Sequence, residues 1–205
     1  MFGFIHKAEI ENSGGYMDII IEKEIRKFHE GFERKDSDIT TLVIHGAGAV
    51  KSVKGLLSWM KSGGVMPDGS TREAQYRKGV ALFHYTIDRD GQVYEIINPH
   101  NWVYHSSTGK VDRCTIGVEL INGTPDNSGQ YTAGQYLSLS MLVKYLNGVF
   151  NSQITRLVGH GQYKLQHAGA GKECPGKGFD WARFSYMIDA DQRTVALLTE
   201  EIKIG

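Results

Sequence analysis

The run Thr40-Thr41-Leu42-Val43-Ile44 is β-branched and apolar throughout, which predicts a buried strand. His45 closes that run, and Gly46-Ala47-Gly48-Ala49 begins a loop of small residues above it. Ligands of α/β sheets bind at strand ends of this kind, so the same stretch predicts both a sheet and a candidate site.

The remaining elements arrange themselves around such a sheet. Val53, Leu56, Leu57 and Met60 have helical spacing and are followed by Gly63-Gly64, a glycine stop, while the polar stretch from Pro67 to Lys78 predicts a loop. Val80–Ile87 and Gln92–Ile97 flank Arg89-Asp90-Gly91, a hairpin signal that puts His84 and Tyr85 on opposite faces. In Thr115–Ile121, Ile116, Val118 and Leu120 share one face and Glu119 points to the other, an unusual place for a carboxylate. Thr132 and Gln135 form a capping-box signature opening a long helix with the buried stripe Tyr136, Leu139, Val143, Leu146 and Phe150. Ile154–Val158 is a short strand that delivers His160, and a terminal helix runs from about Phe179 to Met187.

Near the N-terminus, Ile21, Ile25, Phe28 and Phe32 predict an amphipathic helix to about Glu33. Residues 1–20 carry no packing signal. The reading is a single α/β domain over 39–190, a central mixed β-sheet flanked by helices, with an N-terminal helical extension (1–38) and a C-terminal tail (191–205).

Composition excludes several functions. With 23 basic and 23 acidic residues, no net field draws the chain to nucleic acid or an anionic membrane. No run approaches the ~20 apolar residues of a membrane span, and the N-terminus lacks a basic segment followed by an apolar one. That predicts cytoplasmic synthesis without a signal peptide. Two cysteines, Cys114 and Cys174, are too few for a disulfide framework and read as reduced.

His45 and His160 each follow a strand and could converge above one sheet edge, and Cys174 sits in Lys172-Glu173-Cys174-Pro175-Gly176. Two imidazoles and a thiolate would give Zn2+ three protein ligands with the fourth position open, as in catalytic zinc sites. Spacing alone leaves alternatives: His45 as a core histidine bonded to a carbonyl, and Cys174 as a small buried hydrophobe.

Six segments in order carry a resemblance: Leu42-Val43-Ile44-His45, Phe83-His84-Tyr85-Thr86-Ile87-Asp88-Arg89-Asp90-Gly91, Trp102-Val103-Tyr104-His105-Ser106, Thr115-Ile116-Gly117-Val118-Glu119-Leu120, Val158-Gly159-His160, and Lys172-Glu173-Cys174-Pro175-Gly176 with Phe179-Asp180-Trp181. From about Thr40 to Phe184 the chain resembles the zinc-dependent N-acetylmuramoyl-L-alanine amidases, which include phage lysozyme-type amidases, cell-wall-recycling amidases and peptidoglycan recognition proteins. The resemblance implies His45, His160 and Cys174 as zinc ligands, Glu119 and Lys172 as catalytic residues, and His105, His84 and Trp102 near the substrate. It implies a peptidoglycan or muropeptide substrate, a monomer, and action on the cell wall after release by a holin or another export route, as in an endolysin. A recognition domain that binds peptidoglycan without cutting it is the rival reading. Three departures stand out: Phe83 occupies the place of a tyrosine found in part of the family, Gly46 follows His45 where a second histidine is common, and the long gap before Cys174 contains His167, a competing ligand candidate.

Overall fold

The computed structural model describes residues 4–10, 15–27, 29–61, 69, 71, 74, 82–106, 109–167 and 173–188. Among these residues, nine strands are β1 (Phe4–Ile10), β2 (Gly15–Ile21), β3 (Phe32–Glu33), β4 (Thr41–Gly46), β5 (Tyr85–Ile87), β6 (Val93–Glu95), β7 (Asn101–Trp102), β8 (Thr115–Leu120) and β9 (Arg156–Gly159). The helices are α1 (Lys23–Arg26), α2 (Val53–Lys61), α3 (Gly109–Asp112), α4 (Ala133–Val149), α5 (His160–His167) and α6 (Trp181–Met187).

A seven-stranded mixed sheet runs in the order β1-β2-β6-β5-β8-β4-β9, and β3 pairs with β7 apart from it. The strand predicted from Thr40 to Ile44 is β4, second from one edge, parallel to both β8 and β9. Side chains alternate along it. Leu42 and Ile44 join Ile116, Val118 and Leu120 of β8 in a core closed by Tyr136, Leu139, Leu142, Val143 and Leu146 of α4. Thr41, Val43 and His45 face the other way, where Val43 packs on Val158 and Tyr163.

α4 starts where the capping box places it: Thr132 accepts from the Gln135 backbone N–H, and the Gln135 side chain accepts from the Thr132 N–H. Its Nε2 also donates to the carbonyl of Ile121, anchoring the helix to the end of β8. On the opposite face of the sheet α2 buries Val53, Leu56, Leu57 and Met60 against Leu82, Phe83, Ile97 and Ile121. The hairpin predicted around Asp90-Gly91 is β5–β6, with Tyr85 opposite Glu95 and Ile87 opposite Val93, in shorter strands than the apolar runs suggest. The Gly63-Gly64 stop, most of the 67–78 loop and the 191–205 tail lie outside the described residues.

The N-terminal expectation is corrected. Residues 1–20 contain β1 and β2, an antiparallel hairpin whose second strand adds in parallel to β6. Among the described residues the predicted helix from Ile21 to Glu33 is only the four-residue α1, with β3 at Phe32–Glu33, and Phe28 lies outside them. Ile21 belongs to β2, and Phe32 leaves the helical path to stack on Trp102, 4.5 Å between ring centroids. Tertiary pairing thus overrides a local helical period. Arg26 locks the turn in place, donating to the Ile96 carbonyl and to the Glu95 carboxylate, which also accepts from the Tyr85 hydroxyl.

Candidate active site

Parallel strands deliver the site side by side. β4 and β9 are neighbours with Ile44 opposite Gly159, so the residues just beyond them, His45 and His160, emerge next to each other. Their rings lie 4.4 Å apart between centroids. β4 and β8 are likewise in register, and His45 is paired with Glu119. Cys174 reaches the same point from the α5–α6 loop, its carbonyl accepting from Gly161 N–H and its Sγ from Gly46 N–H at 3.3 Å.

One donor atom from each of His45, His160 and Cys174 lies within 4.8 Å of the other two. Zinc bonds of ~2.0–2.3 Å to nitrogen and sulfur can span such a triangle, and the donor set of two imidazoles and one thiolate suits that ion. The geometry fits the metal. Burial first, and then the nearby Glu119 carboxyl, push the Cys174 thiol up to about 12. A bound cation reverses that, because a coordinating thiol is deprotonated outright. The His45 imidazole is lowered by desolvation first, then by His105 and His160, so it is neutral and its lone pair is available.

These groups form the floor of a cleft of about 860 Å³. One wall is apolar (Val50, Leu56, Leu82, Phe83), with Trp59 45% exposed at its rim, and the other holds Pro125, Asp126, Asn127 and Glu173. Glu119 lines the floor beside the donors; its Oε2 is shielded from solvent and has no hydrogen-bond partner among the described residues. Desolvation raises its carboxyl to about 8.

The other expected residues divide. His105 lines the cleft with a side chain only 2% exposed, its Nδ1 3.1 Å from Nε2 of His45. His84 is fully buried behind it: Nδ1 accepts from Gly117 N–H at 2.9 Å and Nε2 faces the Asn101 carbonyl at 2.9 Å, which uses both nitrogens in the sheet. Trp102 is not in the cleft. It is buried in an aromatic cluster with Phe32 and Tyr104, under the Arg113 guanidinium. Lys172 and the His167 side chain lie outside the described residues.

Two residues that sequence reasoning passed over shape the site. Asn127, at positive φ, accepts from Gly48 N–H through Oδ1, and the Tyr131 hydroxyl donates to the Pro175 carbonyl beside Cys174. Both crowd Gly46: a Cβ there would stand 2.5 Å from the Tyr131 oxygen and 2.7 Å from Asn127 Oδ1. A histidine after His45 therefore requires Tyr131 and Asn127 to move aside. The sequence of 122–131 is turn-rich, a loop signal that carries no indication that the segment returns over the β4 terminus.

The profile of the N-acetylmuramoyl-L-alanine amidase family matches residues 35–177. The chain is 26% identical over 168 residues to the 1,6-anhydro-N-acetylmuramyl-L-alanine amidase AmpD of Enterobacter cloacae, covering 78% of this chain and 86% of that protein. Its fold is similar to the endolysin N-acetylmuramoyl-L-alanine amidase LysCS of Clostridium intestinale (TM-score 0.57, 17% identity, 90% of this chain and 99% of that one). It is similar also to Drosophila peptidoglycan recognition protein SD (TM-score 0.55, 15% identity, 85% and 95%). With a family match over most of its length and the cleft lying inside the matched region, the chain belongs to the N-acetylmuramoyl-L-alanine amidase family and is an amide hydrolase of that class.

Proposed function

We propose that this protein is a zinc-dependent amidase that hydrolyses the bond between the lactyl group of N-acetylmuramic acid and L-alanine in peptidoglycan. The observation that carries the reading is the triangle of His45, His160 and Cys174 on the cleft floor with Glu119 in the adjacent register position. Zinc held by those three residues supplies Lewis acidity to the scissile carbonyl and lowers the pKa of water.

The rest is done by the chain. Glu119, on the cleft floor beside the three donors, takes the proton from the attacking water and passes it to the leaving L-alanine nitrogen. The apolar wall and Trp59 hold the substrate, and the cleft opens at the top for a glycan strand or muropeptide. Phe83 brings no hydroxyl to the carbonyl oxygen, so the oxyanion role falls to Lys172, as the family resemblance implies.

The thiolate ligand and the endolysin among its structural neighbours favour a lytic role on the intact wall, reached through a holin or another release route. The AmpD relative supports the alternative, cleavage of soluble muropeptides. Comparing turnover on intact sacculi and on 1,6-anhydro-muropeptides separates them.

Metal content tests the core of the reading. Purified protein should carry about one zinc per chain, and Cys174→Ala and His160→Ala should each lose it on dialysis. Full retention in Cys174→Ala would transfer the third ligand position to His167, and a wild-type chain that binds no zinc would leave the recognition-domain reading standing.

A further inference from the structure

Behind the metal-ligand triangle runs a line of buried hydrogen bonds whose direction is set by its far end. The Thr115 hydroxyl lies 3.3 Å from the backbone carbonyl of Asp112, an acceptor that can never donate, so Thr115 is the donor there. With that bond made, its oxygen, 2.8 Å from His105 Nε2, is free to accept, which favours the His105 tautomer protonated on Nε2. The Asp112 carboxylate reinforces that choice, with Oδ1 3.6 Å from the same nitrogen. Asp112 is fully buried, and Oδ1 is held by both the backbone N–H and the hydroxyl of Ser106.

With Nε2 protonated, Nδ1 of His105 is a bare acceptor. It faces Nε2 of His45 at 3.1 Å, so His45 must donate from Nε2, and this leaves its Nδ1 as the unprotonated atom. The opposite polarity would put the proton of His45 on Nδ1 and remove it as a ligand.

We infer that His105 is a positioning residue that fixes the tautomer and orientation of His45, so that His45 presents Nδ1 to the metal, with Thr115 and Asp112 setting the polarity of the line. This inference rests on His45 being a zinc ligand. It assigns His105 to the support of the metal rather than to contact with substrate, in keeping with the 2% exposure of its side chain. Ligand histidines generally donate their other N–H to a carboxylate or carbonyl. Here a second imidazole is interposed, and the carboxylate stands one residue further back.

Gly117 is part of the device. A Cβ at that position would lie 2.7 Å from Cγ and 2.8 Å from Nδ1 of His105, so the strand can carry the imidazole against His45 only if residue 117 has no side chain.

The test has two independent readouts. In metal-free wild-type protein, long-range 1H–15N correlation spectra should show His45 and His105 both as Nε2–H tautomers. A His45 protonated on Nδ1 would overturn the inference whether or not the protein binds zinc. Zinc affinity, measured by competition with a chromogenic chelator, should fall about 10–100-fold in His105→Ala, the usual effect of removing such a partner. It should recover in part in His105→Gln, whose amide oxygen can accept from His45. Gly117→Ala, which touches no substrate, should weaken zinc in the same direction by displacing the ring. Unchanged zinc affinity in a folded His105→Ala, with only KM raised, would make His105 a substrate contact. Absence of zinc from the wild type would instead sink the metal reading itself, with the tautomer spectrum still deciding the hydrogen-bond line.

Discussion

Glu119 sits opposite His45 in the β4–β8 pairing, on the face that lacks the core's apolar neighbours, and this is why a carboxylate is tolerated in mid-strand. Glu119→Gln should keep the shape and the zinc but lower kcat by ~100-fold or more, the usual size of a general acid–base contribution. The same substitution has a signature in stability. The Glu119 carboxyl is raised to about 8 by burial, so in the metal-free protein the folded state holds a proton that the unfolded chain has already released. Stability therefore falls as pH rises toward about 8. The buried imidazoles of His45, His84 and His105 are lowered and act in the opposite sense, but only near and below about pH 6.5. Melting of the apo wild type should thus drop between about pH 7 and 8, and Glu119→Gln should flatten that slope; parallel slopes would place the titrating group elsewhere. Residue by residue, the strand-end histidines and Glu119 were legible because strand alternation alone aims them. The burial of His84 and the removal of Trp102 from the cleft were not, since both follow from long-range packing: His84 bonded to Gly117, and Trp102 stacked on Phe32.

The elements that build the site have strong local signals. The capping box of α4, the apolar stripe of α2 and the Asp90-Gly91 turn each fix a boundary through chemistry confined to a few residues. The N-terminal segment lacked such a signal. Its hairpin gains stability from β6, more than seventy residues away, and its apparent helical period over 21–32 arises from residues that separately serve β2, α1 and β3. If this hairpin is a true part of the sheet, Ile19, 1% exposed in the main core, should matter as a core residue does. Ile19→Ala should destabilise the protein by about 2–4 kcal/mol in denaturant titration while leaving kcat of the folded fraction unchanged. A cost near zero would mean that residues 4–21 dock only loosely and that the domain begins near β4.

Taken whole, the molecule is a mixed sheet covered on one face by α4 and on the other by α2, with a cleft at the C-terminal ends of β4, β8 and β9 that gathers the donors. No described helix is long and apolar enough to cross a membrane, and the net charge is zero, so no global field draws the chain to an anionic surface. The family was legible because its six segments keep their order along the chain. The loop from Asn122 to Tyr131 was not, because its contacts with Gly46 and Pro175 depend on the completed fold. The central claim is that a metal held by His45, His160 and Cys174 cuts the lactyl–L-alanine amide, and its most direct test is the product. Zinc-loaded protein incubated with purified sacculi should release stem peptides bearing a new L-alanine amino terminus, identified by mass spectrometry, and Cys174→Ala should release none. Intact sacculi after incubation with zinc-loaded wild-type protein, or peptides cut at any other bond, would contradict it.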